Sequence, residues 1–169
     1  VKVMFTNGNS NNAPTLNVNS TGAKNIKVVK AGAKITPPVH SGKWRGASSA
    51  TTEAWQPLTT LELMYDGTDW VIIGNPVVED YFSDSQSYTV YANGYIEQWG
   101  SLINQPSGEN QYDYVISFLQ PPVIYASQER QSQQNPTYVN SFAYNVTKDN
   151  FKYNISIAGL TVRWFAIGY

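Results

Sequence analysis

Residues 151–169, FKYNISIAGLTVRWFAIGY, alternate with a period of two almost from end to end. With Ala158 and Gly159 taken as a turn, Phe151, Tyr153, Ile155 and Ile157 fall on one face, cross-strand from Leu160, Val162, Trp164 and Ala166. Lys152, Asn154 and Ser156 take the other face with Thr161, Arg163 and Phe165. This pattern predicts an antiparallel hairpin with one dry side. A slip of one residue would turn the whole apolar set to water, so the pairing should be tightly specified. Ala158 suits the positive φ of a type I′ turn poorly, which leaves a longer loop with Gly159 in the left-handed region as the alternative. Tyr169 closes the stretch, and an aromatic there is expected to be packed, inside the subunit or against a partner chain.

Two more hairpins precede it. In LELMYDGTDWVI, residues 61–72, Asp66-Gly67 is a turn signal that sets Tyr65 against Thr68, Leu63 against Trp70 and Leu61 against Ile72. In SYTVYANGYIEQWG, residues 87–100, Asn93-Gly94 sets Tyr88 against Trp99, Val90 against Glu97 and Ala92 against Tyr95. Tyr91 and Ile96 then point the other way, so both faces are partly apolar, as in strands covered by two layers or wrapped with other chains. Shorter β-prone runs stand at 2–5, 15–18, 25–30, 112–118, 123–127 and 137–146, separated by Asn, Gly and Pro turn chemistry. Residues 36–54, with Trp44 and the only histidine, His40, read as a long surface loop, and QERQSQQNP, 128–136, as an exposed one. No helical periodicity runs for ten residues. The expected fold is therefore all-β: an N-terminal β module over 1–76, a linker over 77–87 and an antiparallel β-sandwich over 88–169.

Composition narrows the chemistry. Charged residues make up 14% of the 169 positions and aromatics another 14%, against about 25% charged in an ordinary soluble domain. Asn, Gln, Ser and Thr supply the polarity, which suits neutral hydrogen-bonding partners and disfavours nucleic acid. The first 52 residues carry +7 and the remainder −8, read either as two solvated surfaces or as two modules seated electrostatically on each other or on neighbouring chains. There is no cysteine, the longest apolar run is far too short to span a bilayer, and a start at Val1 suggests a fragment or processed product.

Catalysis finds little support. His40 reads as a solvated loop residue, and without a second histidine or any cysteine neither a nucleophilic triad nor zinc is served. Glycoside hydrolysis needs two carboxylates, for which Asp66, Asp69, Glu79, Asp80, Glu97, Glu109 and Asp113 are candidates. Glu97, on the face of Tyr88, Val90 and Trp99, either pairs structurally, with Arg163 as partner, or lines a sugar site. Asp66 and Asp69 are too few for a calcium loop, and the sequons at Asn19, Asn145 and Asn154 are expected by chance in so Asn-rich a chain. Binding remains. Tyr112, Tyr125 and Tyr138, with Gln111, Gln128, Glu129 and Arg130 beside them, offer aromatic rings flanked by polar groups, as a saccharide site requires.

Three segments resemble the C-terminal region of bacteriophage tail-fibre and receptor-binding proteins. APTLNVNSTGAKNIKV (13–28) with YDGTDWVI (65–72) is similar to the small β modules before fibre tips. NGYIEQWG (93–100) resembles the first hairpin of fibre knobs, and FKYNISIAGLTVRWFAIGY their closing strands. ISFLQPPV (116–123) stands where those knobs carry a strand followed by Phe-Pro, and differs there. The resemblance implies a homotrimer in the virion, joined to upstream fibre or baseplate proteins and attached non-catalytically to a bacterial surface polysaccharide or surface protein. It implies no cofactor, metal, nucleic acid or membrane insertion. A structural connector without receptor binding and a small capsule-degrading glycosidase are the alternatives. Tyr88, Trp99, Tyr153 and Trp164 are expected in the core.

Overall fold

The computed structural model describes residues 1–129, 142–155 and 158–169. Arg130 and Tyr138, most of the expected 128–136 loop, much of the 137–146 run, and Ser156 and Ile157 lie outside the described residues.

The chain is all-β, with one short 3-10 turn among the described residues, at Trp44–Gly46. In order come β1 (Lys2–Met4), β2 (Thr15–Leu16), β3 (Lys24–Lys30), β4 (Ala33–Ile35), β5 (His40–Gly42), β6 (Thr51–Glu53), β7 (Thr60–Tyr65) and β8 (Trp70–Ile72). Then follow β9 (Val77–Tyr81), β10 (Gln86–Tyr91), β11 (Ile96–Gln105), β12 (Gly108–Asp113), β13 (Val123–Glu129), β14 (Ala143–Tyr144), β15 (Asn150–Ile155) and β16 (Leu160–Gly168). Two compact units result: Val1–Asp80 with Thr89–Tyr95, and Tyr81–Tyr88 with Ile96–Tyr169.

The first unit holds a sheet ordered β1-β7-β8-β3-β2, with β4 also paired to β3, and a β5-β6 ladder. Ile26, Val28, Leu61, Leu63 and Ile72 fill its core, where the alternation of β3 and β7 puts them. The turn after β7 is wider than expected. Asp66 Oδ1 accepts the N–H groups of Thr68 and Asp69, and the observed pairs are Leu63 with Ile72 and Tyr65 with Trp70. A four-residue loop shifts the register by two, so the same faces stay dry.

Residues 36–54 are not the loop expected. His40 is 1% exposed on β5, opposite Glu53 of β6, and Trp44 is buried with its indole N–H donating to Thr51 O. Beside Trp44, Arg45 grips Glu79 through two hydrogen bonds of 2.7 and 3.0 Å. Lys34 likewise bridges Asp66 and Asp69. Counted by unit, the charge asymmetry of the sequence disappears: the first has seven basic and six acidic residues, the second four and six.

The five-stranded sheet has the order β13-β16-β11-β10-β9, of which β11, β13 and β16 lie wholly in the second unit, as does the three-stranded sheet, ordered β12-β15-β14. Here the closing hairpin is corrected. β15 pairs with β12 and β14, while β16 pairs with β11 and β13, so the two strands belong to facing layers instead of one ladder. Gly159, at φ +86°, turns the chain between them, and its N–H donates to Gln105 O. The face assignment nonetheless holds: Phe151, Tyr153 and Ile155 meet Val162, Trp164 and Ala166 across the interior. Trp164 lies 5.6 Å from Phe151 and 4.9 Å from Tyr112, centroid to centroid. Alternation dictates which side is dry, and a sandwich satisfies it as fully as a hairpin does.

The β10–β11 turn also differs. Tyr91 N donates to Tyr95 O and Gly94 N to Tyr91 O, closing a three-residue loop, Ala92–Gly94. One extra residue inverts the faces of the following strand. Ile96, Gln98 and Leu102 are therefore buried on β11, and Trp99 and Glu97 lie on the opposite side; Trp99 is not a core residue. Gly100 is demanded by close approach, because a Cβ there would lie 2.3 Å from Ser85 O and 3.0 Å from the Trp164 indole nitrogen. Tyr169 is fixed through its backbone, its carbonyl accepting the N–H groups of Leu119 and Gln120.

Candidate functional site

The outer face of the five-stranded sheet follows from register. Val123, Ile167 and Glu97 form one cross-strand row on β13, β16 and β11. Tyr125, Phe165 and Trp99 form the next, and Ser127, Arg163 and Ser101 the third. The middle row is aromatic throughout and is extended by Phe82, whose ring centre is 5.6 Å from that of Trp99. Tyr125 is 69% exposed, Phe165 40% and Phe82 64%. Rings so placed leave adjoining apolar area open to solvent, whereas a single exposed apolar residue would carry no such meaning.

Polar groups border this row. Arg163 Nε donates to Glu129 Oε2 at 2.8 Å and its Nη1 to Ser101 Oγ at 3.2 Å. Arg163, on the same face as Phe165, is thus tied to both neighbouring strands. This pair also corrects the Glu97–Arg163 pairing expected from sequence, since Arg163 is engaged by Glu129 on β13 and Glu97 sits opposite Ile167.

The residues expected to form a binding cluster divide between surfaces. Tyr125 and Glu129 share the outer face of β13, and Gln128 points to the other side of that strand. Gln111 is exposed on β12, in the other sheet, where its amide donates to Asp113 Oδ1. Tyr112 is drawn into the core against Phe151 and Trp164; its hydroxyl donates to Gln86 Oε1, and burial pushes its pKa up to about 12. Trp99, Phe165 and Phe82 were missed by sequence reasoning. The available signal was Phe165, an aromatic on the otherwise polar side of its strand.

The opposite outer face, on the three-stranded sheet, is polar. Lys152 Nζ and the Tyr144 hydroxyl donate to the two oxygens of Glu109 at 2.6 and 2.7 Å. The Lys152 bond first, then the Tyr144 bond, hold the Glu109 carboxyl below its ordinary value. Other candidate carboxylates are similarly engaged: Glu79 by Arg45, Asp66 and Asp69 by Lys34, Asp113 by Gln111. Backbone N–H groups and Lys34 lower Asp66 to about 2. Among the described residues no group of three His, Cys, Asp or Glu side chains gathers as a metal site, and no helix is long and apolar enough to cross a membrane.

Residues 90–169 match the family model described as putative tail fiber protein gp53-like, C-terminal. Among solved structures, a C-terminal portion of the P. aeruginosa R2 pyocin fiber is similar, with 18% identity over 57% of this chain and 26% of that one, at TM-score 0.45. An N-truncated R2-type pyocin tail fiber has 17% identity over 57% of this chain and 38% of that one, at TM-score 0.44. An N-truncated R1-type pyocin tail fiber has 15% identity, with 57% and 87% covered, at TM-score 0.44. The chain thus spans 26% and 38% of the first two fibre chains. No curated protein sequence matches it. The match covers residues 90–169, somewhat less than half of the all-β chain, and this C-terminal part is similar to the C-terminal part of gp53-like tail-fibre proteins.

Proposed function

We propose that this chain is the non-catalytic receptor-binding tip of its fibre, that it acts as a homotrimer, and that it attaches the virion to a glycan on the bacterial surface. Residues 88–169 form the attaching knob in this reading, and residues 1–76 the module toward the upstream fibre or baseplate proteins. The observation that carries the reading is the outward-facing row Tyr125, Phe165, Trp99, in which Tyr125 and Phe165 are exposed and Trp99 is half-buried, beside the Arg163–Glu129 pair. Sugar rings have apolar C–H faces and peripheral hydroxyl groups, so an aromatic row edged by fixed donors and acceptors complements them. Three such sites on one tip add avidity that a single weak site lacks.

The test is attachment of fluorescently labelled chain to a panel of bacteria, before and after periodate oxidation of their surface glycans, alongside light scattering. A particle near three times 18.8 kDa that binds some strains, and loses them on oxidation, is the expected result. Binding abolished by surface proteolysis but not by periodate would replace the glycan with a surface protein. A Tyr125→Ala, Phe165→Ala chain that becomes monomeric would reassign the row to contact between subunits, and a wild-type chain that attaches to no strain would sink the reading.

A further inference from the structure

The first unit contains a pocket of about 340 Å³ that the attachment surface does not involve and that lies outside the family-matched residues 90–169. One wall is apolar: Phe5, Pro14, Ile26 and Trp55. The other is the turn-rich segment between β1 and β2, which contributes Thr6, Asn7, Asn9, Asn11 and then Thr15 at the start of β2. No charged side chain lines it. Its volume falls in the range of small-molecule sites, ~300–1,000 Å³.

The polar wall is fixed in place. Asn9 Oδ1 accepts from Asn11 N, Asn9 Nδ2 donates to Asn11 O, and Asn11 Oδ1 accepts from Ala13 N. Asn9 is itself tied to the strand edge opposite, with Asn9 N donating to Trp55 O and Ala54 N to Asn9 O. A rim ordered beforehand lowers the entropy lost when something binds. The apolar wall is equally set, with the rings of Phe5 and Trp55 at 5.0 Å and tilted. A second observation concerns unmet hydrogen bonding. The Trp55 indole nitrogen is buried and has no partner. A buried group left unpaired is uncommon and costly, about 1–3 kcal/mol, and this one belongs to a residue that lines the pocket.

We infer that this pocket is a second binding site, in the first unit, for one residue of a neutral saccharide. The absence of lining charge selects against acidic sugars and phosphates, the Asn and Thr groups match hydroxyl and acetamido substituents, and Phe5 with Pro14 supplies the face for ring C–H groups. A fibre tip with this site would engage a glycan at two separate places on each chain.

The experiment is a ¹⁵N-¹H NMR titration of the intact chain with methyl α-D-glucoside and with N-acetyl-D-glucosamine, using glycerol and glucuronate as controls. Trp55→Phe assigns the indole resonance. The expected result is a saturable shift of the Trp55 indole proton and of the Asn7, Asn9 and Asn11 amides by one of the two neutral sugars, half-complete on the order of 1–10 mM, as befits one weak site. Thr15→Phe, at an exposed position on the mouth, should weaken it at least about tenfold; Asn7→Trp serves the same purpose if that variant does not fold. Absence of any shift in these resonances, equal shifts with glycerol, a preference for glucuronate, or full binding in the blocked variants would each overturn the inference. The readout is independent of cell attachment, so the outer-face reading and this one can fail separately.

Discussion

The two outer faces of the second unit are built from neighbouring strands of one sandwich and differ in kind. On the β13-β16-β11 face, rings from three strands line up and a charge pair, Arg163–Glu129, sits at the border. On the β12-β15-β14 face, Glu109, Lys152 and Tyr144 occupy the corresponding central positions and satisfy one another. A charged face of this type maintains solubility and costs nothing to leave in water. An aromatic face leaves a large apolar area wet, which is tolerated only where something covers it. The asymmetry is what supports the proposal that attachment uses the β13-β16-β11 face.

The comparison breaks if the outer rings hold the fold together as the inner ones do. Trp164 and Phe165 are adjacent, one inward and one outward. Trp164→Ala removes a ring packed on Tyr112, Tyr114 and Phe151 and should cost about 3–5 kcal/mol in urea unfolding. Phe165→Ala should cost less than about 1 kcal/mol while lowering cell attachment at least about tenfold. Equal destabilisation by both would remove the distinction. A smaller effect is expected at Gln98, whose fully buried amide both donates to Ile116 O and accepts from Ile116 N. Gln98→Leu strands both backbone groups and should cost about 2–3 kcal/mol, with attachment of the folded fraction unchanged.

The smallest effect sharpens the description of the polar face. Glu109 has a depressed pKa in the folded chain, so its pairing contributes above the ordinary glutamate range and is lost as pH falls through the folded value. Carboxyl NMR should place its midpoint below that of an unpaired glutamate, Lys152→Gln should move it upward, and neither change should alter attachment at neutral pH. A Glu109 that titrates normally would mean that the Lys152 and Tyr144 contacts are not held in solution.

How far the sequence could be read depended on which physical quantity it encodes. Alternation encodes burial, so the dry sides of residues 151–155 and 162–166 are legible in the sequence, whereas Thr161, read as wet, is buried and Leu160, read as dry, is half-buried. Pairing partners are not encoded by alternation, which is why a crossing between layers was read as a hairpin. Turn length is encoded only weakly: Asp66 binds two following N–H groups and widens its loop by two residues, which is harmless to faces, whereas the single extra residue at Ala92–Gly94 exchanged inside for outside along β11 and moved Trp99 to the surface. That one residue separates a Trp read as core from one at the centre of the candidate site. Tyr112 and Gln111 were grouped with Tyr125 because they are close in sequence to polar loops, and no local signal reveals that β12 and β13 lie in different sheets.

β16 lies between β11 and β13 and is later in the chain than either. During synthesis, β11 and β13 therefore wait with open edges, separated by a gap one strand wide, and exposed edges of that kind are prone to pair with the wrong chain. The strand that fills the gap also carries Phe165, the middle ring of the row. Until it is inserted, Tyr125 and Trp99 are not neighbours of anything that joins them. The row of rings consequently comes into existence in the same event that finishes the sheet.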